Sequence, residues 1–288
     1  MKKLLALTSR NLKETLRDPL SLIFCLVFPV VMLVLMQVIF SNMQYVPDNF
    51  KIQNYASGIC VFGFTFVSMF VSLQIASDKN TSFVKRLNIA PTSKFCYYFS
   101  FVLSSLPLAL AQSVLFFAIA LLFGFPFDGK LFLSILYLVP SALFYISLGI
   151  MIGVICNNEK QTGPISSIFI SLVGIFSGTF MPITVLSDSF AKFVNFLPFS
   201  HTVLISSEIQ TLGALAIYPH ILFISAYIVL FVAISFVIEK IKDKTWIVLS
   251  FYPVPLNKCI VIHHFIFQNT TVFYNSSCRG DVIFITTH

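Results

Sequence analysis

Long stretches of this chain carry no charged residue, and this feature limits its fold more than any other. The uncharged windows are 19–50 (apart from Asp48), 52–77, 95–127, 131–158, 161–187 and 209–238. Each window can hold the roughly 20 residues that a helix needs to cross the hydrocarbon core of a bilayer. Because backbone polar groups find no water in lipid, continuous apolar windows of this length predict helices and not strands.

These windows predict six transmembrane helices, at residues 20–40, 56–76, 98–123, 131–154, 165–183 and 217–238. The chain of 288 residues is 57% hydrophobic and 10% charged, whereas a soluble domain has about 25% charged residues. The predicted fold class is therefore all-α membrane protein. Residues 1–246 are expected to form one six-span domain. Residues 247–288 form an anomalous C-terminal tail, either native or an out-of-frame extension.

Lysine and arginine are distributed unevenly between the two sides that these spans define. With a cytoplasmic N-terminus, the inside segments up to the flank of the last span hold thirteen of them. The outside loops hold three, Lys51, Lys130 and Lys192. Because basic residues concentrate in cytoplasmic loops, we predict that both termini lie in the cytoplasm. The expected location is the plasma membrane of a bacterium.

The N-terminal segment, residues 3–18, is predicted to be an amphipathic helix lying in the cytoplasmic interface. Leu5, Leu12 and Leu16 share one helical face, and Arg10, Lys13, Glu14 and Arg17 lie elsewhere. The alternative is a frayed basic tail.

The segment DKNTSFVKRLNIAPTSK, residues 78–94, is a charged interruption between two apolar windows. Phe83 and Leu87 share a face at i, i+4, and Pro91 ends the predicted short helix. Charged residues are too costly to place in hydrocarbon, so the segment is expected in the cytoplasm. Its apolar face indicates either docking to a partner protein or anchoring in the membrane interface.

Motifs for catalysis, nucleotide binding or metal binding do not occur in the sequence. It contains no GxxxxGK[ST] loop, no HExxH, no GxSxG and no CxxC. We therefore predict no catalytic residue, no metal site and no cofactor in this chain. The predicted spans also lack carboxylates at their centres, which disfavours an ion-driven carrier.

Two sets of residues within the spans are candidates for packing or transport. Gln37, Gln74 and Gln112 line a substrate path or form interhelical hydrogen bonds. Gly149 and Gly153, and Gly174 and Gly178, are glycine pairs four residues apart. Such pairs let helices approach closely, either within one subunit or in a dimer.

Four segments resemble the permease subunit of an ABC type-2 transporter, over roughly residues 5–245. RNLKETLRDPLSLIFCLVFPVVMLVLM resembles the basic interfacial helix, the "RDP" and the first span of that family. SFVKRLNIAPTSKFCYYFS resembles its "GFLKRLxxxPxS" loop, although Ser82 stands where glycine is usual and Asp78 near the usual glutamate. NNEKQTGPISSIFISLVGIFSG and TFMPITVLSDSFAKFVNFLPFSHTV resemble its fifth span and external segment.

The resemblance implies a dimer of six-span subunits, each with a coupling helix seated in a separate ATPase, which would bind ATP and Mg²⁺. It further implies outward movement of an amphipathic drug, peptide or lipid-linked compound. The residues that match the coupling contacts are Phe83, Lys85, Arg86, Leu87 and Pro91, and Gly174 and Gly178 would lie near the dimer seam. Two other hypotheses are a non-transporting immunity or sensing partner and an ion-coupled secondary carrier.

Overall fold

The computed structural model describes residues 2–41, 51–89, 93–180, 188–211 and 217–251, and these ranges are helical with no strand. A π-helical segment, Ile23–Val27, connects the second and third α-helices. The α-helices in chain order are α1 (Lys2–Arg17), α2 (Pro19–Leu22), α3 (Phe28–Ser41), α4 (Ile52–Lys79), α5 (Ser82–Ile89), α6 (Lys94–Leu122), α7 (Gly129–Ile155), α8 (Glu159–Phe176), α9 (Asp188–Phe196), α10 (Pro198–Thr211) and α11 (Tyr218–Phe251).

Five helical stretches in the described ranges are long and apolar enough to cross a membrane. They are Pro19–Ser41, Tyr55–Lys79, Lys94–Leu122, Gly129–Ile155 and Tyr218–Lys242. Each contains or closely overlaps one of the predicted spans. The prediction of an all-α protein with several membrane-spanning helices is therefore confirmed.

The fifth predicted span, 165–183, differs from a continuous apolar helix. α8 begins with the polar residues Glu159, Lys160 and Gln161, and it ends at Phe176. Gly178 then takes a left-handed backbone conformation with φ of +77°, which a residue with a Cβ rarely adopts. Polar residues at the start and a turn at the end therefore shorten the apolar helix.

α8 and the turn after it nevertheless run antiparallel to α4 over about half the length of that helix. Near one end the hydroxyl of Ser166 lies 3.1 Å from that of Ser72. Near the other, Thr179 approaches Gly58 so closely that a Cβ there would lie 2.7 Å from its Oγ1. Ser72 and Gly58 are about 21 Å apart along α4 at 1.5 Å per residue.

α4 and α7 form the centre of the molecule, because glycines on α7 let the two backbones meet. A Cβ on Gly149 would lie 2.4 Å from the carbonyl oxygen of Ser68, and one on Gly153 would lie 2.9 Å from the side chain of Ile75. Both distances are shorter than a van der Waals contact. The Gly149 and Gly153 pair therefore packs helices within one subunit, one of the two alternatives that the sequence left open.

The outer helices are far less covered than this central pair. In the spans of α7 and α4, 78% and 72% of the residues are buried, compared with 17% in Pro19–Ser41 and 11% in Tyr218–Lys242. The first and last spans thus present most of their apolar side chains to their surroundings, as lipid-facing helices do.

The chain divides into a compact unit of residues 1–239 and a second unit of residues 240–288. The structure describes residues 240–251 of the second unit, where they form the end of α11. The predicted domain boundary after residue 246 stays a prediction, and most of the predicted tail lies outside the described residues.

The close approach of α4 and α7 predicts that Gly149→Ala lowers stability whereas Gly129→Ala does not. The added methyl at position 149 meets backbone, so the helices must separate, at a cost of about 1–3 kcal/mol. Nothing lies within 4 Å of a Cβ on Gly129, and alanine there restricts the unfolded chain. The midpoints of thermal unfolding in detergent check this, and equal midpoints for the two variants would contradict the packing.

Candidate functional site

Charged and aromatic residues from four helices meet at one end of the bundle, where α4 leads into α5. We call this group the junction and define it as Arg10, Asp78, Lys79, Phe83 and Tyr97. Arg10 lies on α1, Asp78 and Lys79 end α4, Phe83 lies on α5 and Tyr97 on the first turn of α6. The contacts of the junction fix the position of α5 relative to the neighbouring helices.

Asp78 is the acceptor at the centre of the junction, and only 1% of its surface is exposed. The two terminal nitrogens of Arg10 each donate a hydrogen bond of 2.5 Å to a different Asp78 oxygen. The hydroxyl of Tyr97 donates a third, of 2.9 Å, to Oδ2. A bidentate guanidinium together with a phenol compensates for the burial of the carboxylate.

Arg10 of α1 contacts three side chains at once, those of Asp78, Glu14 and Phe83. Its guanidinium also lies 2.9 Å from the carboxylate of Glu14 and 4.3 Å from the ring centre of Phe83, a cation–π distance. Burial by itself lowers the pKa of Arg10, but the hydrogen bond and charge of Asp78 outweigh it, and the pKa is raised. Arg10 therefore remains charged and fixes α5 against α1.

Lys79, the residue after Asp78, binds the C-terminal end of α7. Its ammonium group donates hydrogen bonds to the carbonyl oxygens of Gly153, Val154 and Cys156, at 2.6, 2.8 and 2.7 Å. The last carbonyls of a helix have no partner within the helix and carry partial negative charge. Two consecutive residues of α4 thus hold α1 on one side and α7 on the other.

α1 is held along its length by buried polar contacts as well. The amide of Asn11, which is fully buried, donates to the hydroxyl of Ser100 on α6 at 2.9 Å. The Gln74 amide donates to the carbonyl of Asn11 at 3.3 Å and to the carboxylate of Glu14 at 2.8 Å. Because these contacts are specific hydrogen bonds, α1 is a docked helix and not a frayed tail.

Glu239 connects α11 to the same end of the bundle. Its carboxylate lies 3.1 Å from the ammonium group of Lys94 and accepts a hydrogen bond from the hydroxyl of Tyr98. The first turn of α6 and the α11 residue Glu239 therefore lie at the end that contains the junction.

α5 uses its apolar face within the chain. Phe83, Val84 and Leu87 are half-buried and pack against a hydrophobic cluster built from α4, α6 and α7. Arg86 is exposed, and so is Ile89, with 88% of its surface accessible. The sequence indicated a partner or the membrane interface for this apolar face. The adjacent bundle covers part of it, and its contact with a partner stays a prediction.

The side chain of Lys85 and the whole of Pro91 lie outside the described residues, so their predicted part in coupling stays a prediction.

The three glutamines predicted for the spans all make hydrogen bonds between helices. Gln37 accepts one of 2.7 Å from the hydroxyl of Tyr55, and Gln74 binds α1 as described above. Gln112 is buried and donates to the carbonyl of Cys60 at 3.3 Å, where the missing side chain of Gly63 makes room for it. The structure therefore shows the bonding role for each, and their place in a substrate path stays a prediction.

The four-residue spacing of Gly174 and Gly178 indicated a site of close helix packing, but the described structure shows a different arrangement at both positions. Gly178 lies beyond the end of α8, in the turn. A Cβ on Gly174 would lie 3.6 Å from Phe62, an ordinary contact distance. Neither position is a close helix crossing within the described subunit, and their place at a dimer seam stays a prediction.

Sequence reasoning missed the central pair of the site. It placed Asp78 among charges exposed to the cytoplasm, whereas the structure buries it against Arg10, which is 68 residues away in the chain. The sequence did contain a signal. Asp78 directly follows an apolar window, and a carboxylate that is buried there requires a cation as its partner. The contact of Lys79 with the carbonyls of α7 has no sequence signal, because every helix end offers such carbonyls.

In the described part of the chain, the helices define a multi-pass membrane protein, and the charged contacts given above lie at one end of the bundle. A family model described as ABC-2 type transporter matches residues 2–211, which is more than half of the chain. The chain therefore belongs to the ABC-2 type transporter family, as its sequence resemblance indicated, and is a membrane transport subunit without catalysis of its own. The comparison with curated proteins gave no match.

The burial of Asp78 predicts that Asp78→Asn destabilises the protein more than Glu14→Gln. Both changes remove a carboxylate that contacts Arg10, but the exposed fraction of the side chain is 2% for Asp78 and 45% for Glu14. Losing the covered partner costs roughly 3–5 kcal/mol, and losing the exposed one less than about 1 kcal/mol. Thermal unfolding in detergent measures both. A larger loss for Glu14→Gln would contradict the central role of Asp78.

The contacts of Lys79 predict that Lys79→Met loosens the end of α7. Methionine keeps the apolar stem but removes three hydrogen bonds from a charged donor, a loss of about 1–3 kcal/mol. Hydrogen exchange should then accelerate at the last turn of α7, residues 152–156, while Lys79→Arg preserves most of the protection. Lys160→Met, at an exposed lysine, is the control. Unchanged exchange in Lys79→Met would show that the lysine does not hold α7.

Proposed function

We propose that this chain is the permease subunit of an exporter driven by a separate ATPase, and that the ATPase docks on α5. The observation that carries the proposal is the division of α5 into two faces. One face is fixed to the bundle through Phe83 and Leu87, and the other leaves Arg86 and Ile89 exposed. A short helix that packs against the bundle on one side can bind a partner on its other side and transmit the movement of that partner to the bundle.

The junction supports this proposal because it connects α5 to several membrane helices. A displacement of α5 would act on Arg10 and α1 through the cation–π contact with Phe83. It would also act on α4, and through Lys79 on the end of α7. Packed helices joined by discrete polar contacts move as units, so ATP binding in the partner would rock the bundle. ATP and Mg²⁺ would both bind in the partner chain.

The charge distribution supports a cytoplasmic location for the junction in a bacterial plasma membrane, with both termini on that side. Lys79, Lys94 and Arg10 lie at one end of the bundle, and most other basic residues flank that end in the sequence. We include α8 and the turn after it as a sixth crossing, since this segment follows α4 from Ser72 to Gly58.

Assembly as a dimer, either of two copies or with a related subunit, completes the proposal. Only 17% of the residues in the most apolar part of the first span are buried within the chain, and Ile168 and Ile175 of α8 are also exposed. These surfaces are available for a second permease subunit or for lipid.

The proposed substrate is an amphipathic compound, such as a drug, a peptide or a lipid-linked molecule, moved outward. Polar contacts between the central helices come from uncharged hydroxyls, for example Ser57 with Ser206 at 3.0 Å and Ser72 with Ser166 at 3.1 Å. Such groups can solvate a polar segment, whereas the described centres of the spans offer a fully charged substrate no counter-charge.

Docking on the exposed face of α5 predicts that Arg86→Glu combined with Ile89→Ser abolishes co-purification with the cognate ATPase. If the partner surface is acidic, Glu at position 86 repels it, and Ser at position 89 removes an apolar contact. The ratio of ATPase to permease should therefore fall more than tenfold. The measurement is the ratio of ATPase to permease after co-expression and affinity purification. Phe83→Leu, on the inner face, should reduce binding less.

The matched control for charge is Lys160→Glu, an exposed reversal outside α5, which should leave the complex intact. Full recovery of the ATPase with the Arg86 and Ile89 variant would overturn the docking site. ATP-dependent efflux from proteoliposomes that contain both proteins would support the exporter. An intact complex without transport would favour an immunity or sensing partner, and transport driven by an ion gradient without ATP would favour a secondary carrier.

A further inference from the structure

We propose that α1 carries a binding site for anionic phospholipid, in which Lys13 and Arg17 hold the headgroup and the neighbouring leucines cover the acyl chains. This proposal goes beyond export and does not require docking of an ATPase. It rests on the exposed side of α1, which lies opposite the face that contacts α6.

A row of polar residues runs along this side. Ser9, Lys13 and Arg17 are spaced four apart, so they lie above one another on the helix, and all three are exposed. They line an open groove of about 590 Å³ on the surface of α1. The groove therefore presents two cations and a hydroxyl along about two turns of helix.

The other charged residues of the groove are already engaged. Arg10 is bound to Asp78 and Glu14, and Asp18 accepts hydrogen bonds from the backbone of Leu20 and the hydroxyl of Ser21 at the start of α2. Among the residues that the structure describes, Lys13 and Arg17 have no carboxylate partner. An anion is therefore the complement that the groove lacks.

An apolar ridge borders this row and identifies the anion as a lipid. Leu5 and Leu16 of α1 expose 63% and 54% of their surfaces. The exposure continues into the first span, where Leu20 and Ile23 expose 59% and 53%. A phospholipid held by its headgroup at Lys13 and Arg17 would lay its chains along this ridge, whereas a free phosphate would make no contact with it.

The position of the groove also matches the depth of a headgroup. Arg17 precedes the first apolar span, which begins at Pro19, by only two residues. Basic residues immediately before a span lie at the level of the lipid phosphates, and their attraction to anionic lipid adds up over neighbouring residues. Lys13 and Arg17 thus face the phosphate layer when the span is in the bilayer.

The test is native mass spectrometry of the purified full-length chain in detergent, titrated with phosphatidylglycerol or with phosphatidylcholine. The unmodified chain should bind phosphatidylglycerol roughly tenfold more tightly than phosphatidylcholine, and Lys13→Gln with Arg17→Gln should remove this preference. The exchange Lys13→Arg with Arg17→Lys keeps both charges and should retain it. Lys160→Gln with Lys192→Gln removes two exposed charges outside α1 and is the matched control.

Each outcome decides the proposal, provided that every variant unfolds at the midpoint of the unmodified chain. If a variant unfolds early, the charge-conserving exchange and the single changes Lys13→Gln and Arg17→Gln provide the comparison. An unchanged preference after loss of both charges would overturn the proposal, as would an equal loss in the control. Displacement of phosphatidylglycerol by inorganic phosphate, at ionic strength matched with chloride, would show that the groove binds a free anion and would overturn the assignment to lipid.

Discussion

The structure depends on the neutralisation of one buried carboxylate, that of Asp78. An isolated charge in this position would cost several kcal/mol, and only a cation with additional hydrogen-bond donors offsets that cost. Arg10 and Tyr97 provide both, and they come from α1 and from α6. The position of α1 against the bundle is therefore tied to the solvation of a single residue of α4.

Lys79 connects the same end of α4 to a second helix, α7. Because Asp78 and Lys79 are adjacent on a helix, their side chains leave α4 about 100° apart, so they reach different neighbours. One neighbour is α1, and the other is the end of α7, whose glycines already bring it against α4. α5 begins three residues after Lys79, so the part of the chain proposed to meet the ATPase is continuous with the residues that hold both helices.

The sequence predicted the membrane class and the five recognised spans, since apolar length is a property of each helix alone. The sequence predicted side-chain contacts less well wherever they depend on which helix lies next to the residue. The spacing of Phe83 and Leu87 indicated an apolar face, but only the packed bundle shows that the chain itself covers part of this face. The same four-residue spacing marks Gly149 and Gly153 at a helix crossing, whereas Gly174 and Gly178 lie at no close crossing among the described residues, because the spacing does not identify the neighbour.

The two proposed binding surfaces, on α5 and on α1, are separated by Arg10, and this shared residue has a mechanical consequence. Arg10 contacts Phe83 on its α5 side and lines the groove that also contains Lys13 and Arg17. A lipid held by α1 would restrain that helix in the plane of the bilayer while the partner displaces α5. If α1 is held in place, a displacement of α5 transmits force to the bundle. If α1 moves freely with α5, less of that force reaches the other helices. The bilayer and the ATPase would then act on opposite sides of one guanidinium group.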